Sequence, residues 1–203
     1  MIKIITVSRE FGSGGRSTAK LIAEKLGWKF YDKELVEAAA IESGLSERFI
    51  EENGEYAGAK SSLLFNLSLG ASMGNGSVPM YDKIFIAQSN VIRNLAEEGN
   101  CVIVGRCADY ILRERDDVLN IFIHADIESR KQRVLSHYPN EGGKKPIEKR
   151  LADKDKRRRV YYNNYTDQNW GDVANYHLAL DSGKLGVERC ADIIVDVVKN
   201  CNG

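Results

Sequence analysis

Three stretches of the chain are continuous apolar runs too short for a helix: IKIITV at 2–7, CVIVG at 101–105 and VLNIFIHA at 118–125. Runs of this length, rich in β-branched residues, suit strands buried on both faces. Residues 29–31 read as a short second strand and YHLALDS at 176–182 as the last one. The segments between them change to helical spacing. In STAKLIAEKLG, Ala19, Leu21, Ile22 and Leu26 share one face and Gly27 lies where a helix stops. DKELVEAAAIES at 32–43 reads as another helix. Residues 81–98 carry Ile84, Phe85, Ala87, Val91, Ile92 and Leu95 in a long amphipathic pattern, a short helix-like segment precedes the strand at 118–125, and VERCADIIVDVVKN closes the chain. Helices alternating with continuous apolar strands predict an α/β protein, a mostly parallel sheet of about five strands covered by helices on both faces. No internal repeat is visible.

Between Gly44 and Pro79 the periodicity weakens, and the second half of SSLLFNLSLGASMGNGSVP, rich in Gly, Ser and Asn, reads as a mobile loop. Residues 44–80 are expected to form a helical and loop insertion that caps a pocket. The length of 203 residues fits one domain, and 43% apolar with 29% charged residues excludes disorder and fibre. Lys plus Arg balances Asp plus Glu at 29 each, so no global field attracts a polyanion; a nucleic-acid role is not expected, and any anion site must be local. No apolar run approaches the ~18 residues of a membrane span, and MIKIITVSRE lacks the features of a signal peptide. A cytoplasmic location is expected, with Cys101, Cys107, Cys190 and Cys201 as reduced thiols. His124, His137 and His177 are scattered, so a metal should enter with a substrate.

Directly after the first strand comes Gly12-Ser13-Gly14-Gly15-Arg16-Ser17-Thr18. Small residues here let consecutive backbone N–H groups point into one concavity, and the following helix adds its positive end. Such a turn either cradles phosphate or only joins strand to helix. One cation and two hydroxyls at the helix start favour the first. Against GxxxxGK[ST], Gly15, Arg16 and Ser17 fill the last three positions, Glu10 replaces the first Gly and Arg16 replaces Lys. Ser17 or Thr18 supplies the magnesium-side hydroxyl, with Ser17 at the motif position.

Between Lys144 and Arg159 stand nine basic and three acidic residues, a local charge of +6 that the rest of the chain must offset. On a helix Arg150, Lys154, Arg157 and Arg158 fall at i, i+4, i+7 and i+8. They read as an arginine-rich lid over 142–170, hinged at Gly142-Gly143, or as a solvated basic face laced by Asp153 and Asp155. Arg106 leaves a buried strand at its carboxyl end, the edge where ligands bind in open parallel sheets. Arg130 and Arg133 are further candidates. Asp32 orients a magnesium-bound water or an acceptor, or caps the helix after it; Asp155 contacts an acceptor or holds a lid arginine. Trp170 and the Tyr161, Tyr162, Tyr165 cluster serve either base stacking or packing.

Taken in order, these segments resemble the cytidylate kinase-like family of P-loop nucleoside monophosphate kinases. The resemblance rests on SREFGSGGR, Phe30-Tyr31-Asp32, Gly105-Arg106, the arginine-rich segment and Asp181-Ser182, and it spans nearly the whole chain. It implies a P-loop three-layer sandwich in one domain over 1–203, ATP with magnesium as donor, and a nucleotide acceptor such as CMP or dCMP. Arg16, Arg106, Arg157 and Arg158 would act in phosphoryl transfer, Asp32, Arg106 and Asp155 on the acceptor, and Ser17 on magnesium. The sequence departs from the family at Ala38, where an acceptor-gripping arginine is usual, at Val104 and Cys107, where an Asp flanks Gly-Arg, and at Tyr161, which stands for a lid arginine. The other reading of the same residues is a nucleotide sensor without turnover.

Overall fold

The computed structural model describes residues 1–32, 35, 38, 41, 42, 44, 80–137 and 145–202. The interior of the 44–80 insertion and the Gly142-Gly143 joint lie outside the described residues. In chain order the elements are β1 (Ile4–Arg9), α1 (Gly15–Leu26), β2 (Lys29–Tyr31), α2 (Met80–Glu98), β3 (Cys101–Val104), α3 (Ala108–Ile111), β4 (Val118–His124), α4 (Ile127–His137), α5 (Ile147–Thr166), a 3-10 turn (Val173–Asn175), β5 (Leu178–Asp181), α6 (Ser182–Leu185) and α7 (Val187–Asn202). The strands form one parallel sheet in the order β2-β3-β1-β4-β5.

The period of two along each strand divides the core. Ile4, Cys101 and Ile103 face one layer, where they meet Ile92 and Ala96 of α2, Ala108 and Ile111 of α3, and Tyr161 and Tyr162 of α5. Ile5, Val7, Val102, Val104, Ile121 and Ile123 face the other, against Ala19, Ile22 and Ala23 of α1 and Ile194 and Val198 of α7. Both faces of the central strands are therefore dry, which is why their sequences run apolar without alternation. α1 ends where expected, at Gly27 with φ 67°, its N–H closing on the last carbonyls.

This topology sets the site. β1 and β3 are neighbours, paired Ile4 with Cys101 through Val7 with Val104. The helix after β1 packs on one face and that after β3 on the other, so the two connections diverge and leave a crevice at the carboxyl edge.

Candidate functional site

The glycine-rich turn runs from Glu10 to the start of α1. Gly14, the N-cap, has φ 79°, a conformation that side chains rarely adopt, and offers no side chain to cap the helix; the Gly15 N–H donates to the Ser13 hydroxyl at 3.4 Å. With no acid in the first turn either, the exposed end of α1 keeps its positive character. Ser13 is fully buried; its hydroxyl donates to the Glu10 carbonyl at 2.9 Å and braces the turn. Thr18 is likewise buried, its hydroxyl donating to the Gly14 carbonyl at 3.2 Å, whereas Ser17 is exposed. Of the two candidate hydroxyls, Ser17 is the one that faces outward. Arg16 is half exposed, and its Nε donates to the Asp32 carboxylate at the end of β2.

The turn is held from outside by carboxylates and arginines. Glu10 accepts from the Ala125 N–H at 3.2 Å and lies 3.4 Å from Arg130, so the residue that replaces the motif's first glycine ties β1 to the end of β4. Arg130 is 7% exposed and donates to the Phe11 carbonyl at 2.8 Å and to Asp155. Asp155 accepts from the Phe11 N–H at 2.7 Å, and Arg158 donates to the Arg9 carbonyl at 3.0 Å. Arg133 donates to the Gly12 carbonyl at 3.1 Å, and Ser182 to the Ser13 carbonyl. Helices α4 and α5 and the first residue of α6 thus all grip the backbone of the loop.

Across the crevice, Gly105, Arg106 and Cys107 have φ of 71°, 59° and 56°, three consecutive left-handed residues after β3. For the two that carry a Cβ this costs on the order of 1 kcal/mol each. Hydrogen bonds from Gly105 N–H to Val7 and from Ala108 N–H to Gly105, both 3.1 Å, hold the turn. It carries Arg106, 7% exposed, into a cavity also lined by Arg9, Arg158, Tyr161, Tyr162 and Trp170. Behind the turn Asp109 is 4% exposed and accepts from Tyr162 Oη at 2.6 Å. Burial pushes its carboxyl up to about 6, while the hydrogen bonds from Tyr162 and from the backbone pull the other way. Burial and the adjoining Asp109 push the Tyr162 phenol up, so it stays a donor.

The structure brings Gly12 to Ser17, Asp32, Arg106, Asp155 and Arg158 to the carboxyl edge of the sheet. Arg157 and Arg159 are exposed, and the Arg159 guanidinium lies 5.8 Å from the Trp170 ring centre. Arg150 and Arg158 are buried, Lys154 is half-buried and sits 5.0 Å from the Phe11 ring centre, so the four basic residues expected on one face do not share one environment. Tyr161 and Tyr162 enter the core, Tyr165 stacks on Phe85 at 4.1 Å, and Trp170 meets Phe122 edge-on at 5.5 Å. Sequence reasoning missed the clamp made by Glu10 and Arg130, whose signal was the acid standing where a glycine was due. It also passed over Arg9, a charge ending an otherwise apolar strand.

The sequence matches the profile of the cytidylate kinase-like family over residues 4–184. It is 28% identical over 198 residues to the cytidylate kinase of Archaeoglobus fulgidus, covering 96% of this chain and 94% of that protein. The structure of an uncharacterized protein from Eubacterium ventriosum superposes with a TM-score of 0.71 at 29% identity, over 98% of this chain and 99% of that one. The shikimate kinase of Bacteroides thetaiotaomicron superposes at 0.58 with 13% identity, over 98% and 99%, a likeness of fold alone. The architecture is that of the P-loop kinases.

Proposed function

Because the chain belongs to the cytidylate kinase-like family, we propose that it transfers the γ-phosphoryl group of ATP to a nucleoside monophosphate of the CMP or dCMP kind. The observation that carries this reading is the glycine-rich start of α1, with no acid in its first turn, at the same sheet edge as a cavity lined by Arg9, Arg106 and Arg158. Backbone N–H groups of Gly12 to Gly15 and the Arg16 side chain hold the donor's phosphates, and Ser17 turns its hydroxyl toward the magnesium that accompanies them. Magnesium, when bound, neutralises charge on the β- and γ-oxygens. An oxygen of the acceptor attacks the γ-phosphorus as the bond to ADP breaks, and Arg106, Arg157 and Arg158 offset the charge that spreads over the transferring group. Asp32 sets the direction of Arg16 and borders the acceptor, while Asp155, expected on the acceptor from the sequence, is buried on Arg130 and the Phe11 N–H and braces the loop instead.

ADP release from ATP and magnesium across a panel of nucleoside monophosphates, headed by CMP, dCMP and UMP, tests the reading. Arg16→Ala is expected to lower acceptor-dependent kcat/KM by about 10²-fold or more, the usual loss of a charged transition-state contact. Unchanged turnover in that variant would sink the assignment. The capture of Arg16 by Asp32 favours a second reading, a nucleotide sensor. It predicts ATP binding with no ADP formed from any acceptor.

A further inference from the structure

The turn that carries Arg106 to the cavity is strained: Arg106 and Cys107 hold left-handed φ of 59° and 56° although both carry a Cβ. Such a conformation persists only where its surroundings over-determine it. Backbone hydrogen bonds do part of this, the Ile111 N–H closing on the Cys107 carbonyl at 2.9 Å beside the two already described. A side chain adds a hold from outside the turn. Asp109, two residues past Cys107 and 4% exposed, accepts from Tyr162 Oη at 2.6 Å, a contact between residues 53 apart in the chain.

Tyr162 lies one helical turn after Arg158 on the same face of α5, and Tyr162, Arg158 and Arg106 all line one cavity. The Asp109–Tyr162 bond therefore joins the two elements that carry Arg106 and Arg158. The tie extends beyond the pair. Tyr162 Oη lies 3.0 Å from Gln168 Oε1, and the Thr166 hydroxyl donates to the Tyr162 carbonyl at 2.7 Å, so the end of α5 and the segment leading to Trp170 are anchored on the same residue. Burial disfavours the ionised form of Asp109, whereas an amide in its place would accept from Tyr162 with no charge to desolvate. A hydrogen bond to an ionised acceptor is, however, about twice as strong as a neutral one. The carboxylate thus costs the fold stability and tightens the tie, the trade expected where a residue serves a site and not the core.

We propose that Asp109 and Tyr162 are positioning residues for phosphoryl transfer: their buried hydrogen bond fixes the Arg106 turn against α5 and so sets the spacing of Arg106 and Arg158 around the transferring group. The inference rests on the kinase reading and deepens it, since both residues act through the arginines and neither touches substrate. The donor's phosphates rest on a loop braced separately by Arg130, Arg133 and Ser182, so loosening the tie lowers kcat and leaves the KM for ATP. Among the described residues, the titratable groups packed on Asp109 are Tyr162 from α5 and Tyr176 from the segment before β5, with Cys107 of the turn beside Tyr162. Burial, and after it Asp109 itself, push both phenols up, away from the range in which the carboxyl titrates. Arg106 and Arg158 keep their charge throughout. Protonating Asp109 therefore weakens the tie, and kcat falls as pH drops through about 6.

The test is steady-state kinetics of the full-length protein from about pH 5 to about pH 8, with ATP, magnesium and CMP, or whichever monophosphate of the panel above turns over fastest. Tyr162→Phe keeps the ring in its layer and removes the hydroxyl; kcat is expected to fall about tenfold or more, with the KM for ATP changed less than about twofold. Asp109→Asn keeps a neutral acceptor. Its kcat should lie between those of wild type and Tyr162→Phe at about pH 8, and the ratio of wild-type to Asp109→Asn kcat should decline toward one by about pH 5. Titration of the substrates cancels in that ratio, which decides the matter even where Tyr162→Phe fails to fold. A ratio constant with pH, or kcat and the KM for ATP moving together in both variants, would make the pair a structural support only and overturn the proposal. So would Tyr162→Phe turnover within about twofold of wild type. A wild type inactive on every acceptor would reject the kinase reading and this role with it, whereas an active wild type beside unaffected variants rejects the role alone.

Discussion

Asp109 shows how one buried carboxyl records its surroundings. With 4% of its surface exposed and a hydrogen bond from Tyr162, its ionised form is disfavoured by burial, and its pKa rises to about 6 from an ordinary carboxylate value near 3.8. A group whose pKa is higher folded than unfolded contributes stability that is full below the unfolded value and is lost as pH rises through the folded one. The stabilising window for Asp109 therefore closes between about pH 4 and pH 6. Asp109→Asn keeps an acceptor for Tyr162 and removes the charge. Relative to wild type it should be more stable at pH 7.5, by on the order of 2–3 kcal/mol at most, with the advantage vanishing by about pH 4. Urea melts of both proteins at the two pH values check this; a difference independent of pH would mean that Asp109 does not titrate in this range.

At the scale of the element, α5 is where the basic stripe read from the sequence and the buried stripe of the structure differ. Its buried positions Leu151, Asp155, Arg158 and Tyr162 fall at i, i+4, i+7 and i+11, a helical stripe that mixes apolar and charged residues. The charges are tolerated there because the loop offers partners: the Phe11 N–H to Asp155 and the Arg9 carbonyl to Arg158. Removing Asp155 would leave two buried guanidinium groups without it, so Asp155→Ala should cost about 3–5 kcal/mol in chemical denaturation. Asp155→Asn, which can still accept from Phe11, should cost less. If Arg130→Met is combined with Asp155→Ala, the losses should be clearly less than additive. Additive losses would show that the Arg130–Asp155 contact contributes nothing of its own.

The same helix marks the border of what the sequence makes legible. CVIVG could be read directly as a strand, because burial on both faces leaves no polar position, VLNIFIHA nearly so, its two polar residues Asn120 and His124 being the half-buried ones, and Gly27 stands where α1 ends in a left-handed conformation. The glycine loop and Arg106 could be placed at the carboxyl edge from strand order alone. Which arginines of α5 turn inward could not be read, since that depends on backbone groups of residues 9–11, about 150 positions away in the chain. Nor could Glu10 be understood in isolation: it looks like damage to a phosphate motif until Ala125 and Arg130 stand beside it.

For the whole molecule, the two apolar layers flanking the sheet distribute stability unevenly along α5. Tyr161 and Tyr162, in its second half, belong to the layer built on β1, β3, α2 and α3. Its first half rests on a small satellite, Leu151 and Ile147 against Phe11 and Val134, plus the polar grip of Asp155. Local opening follows the number of buried contacts that must be broken, so the first two turns can separate from the loop while the last two stay fixed to the core. If α5 serves as a lid, this distribution predicts that it bends at its root and does not swing as a body. Amide exchange should show it: protection at Tyr161–Tyr165 close to that of β1, and exchange at least tenfold faster at Glu148–Asp153. Adding ATP and magnesium should slow exchange at Phe11–Ser17 and in that first half of α5 together, because Asp155 joins the two through the Phe11 N–H. Uniform protection along the whole of α5, unchanged by nucleotide, would mean that the helix is a fixed wall and that closure over the donor comes from another part of the chain.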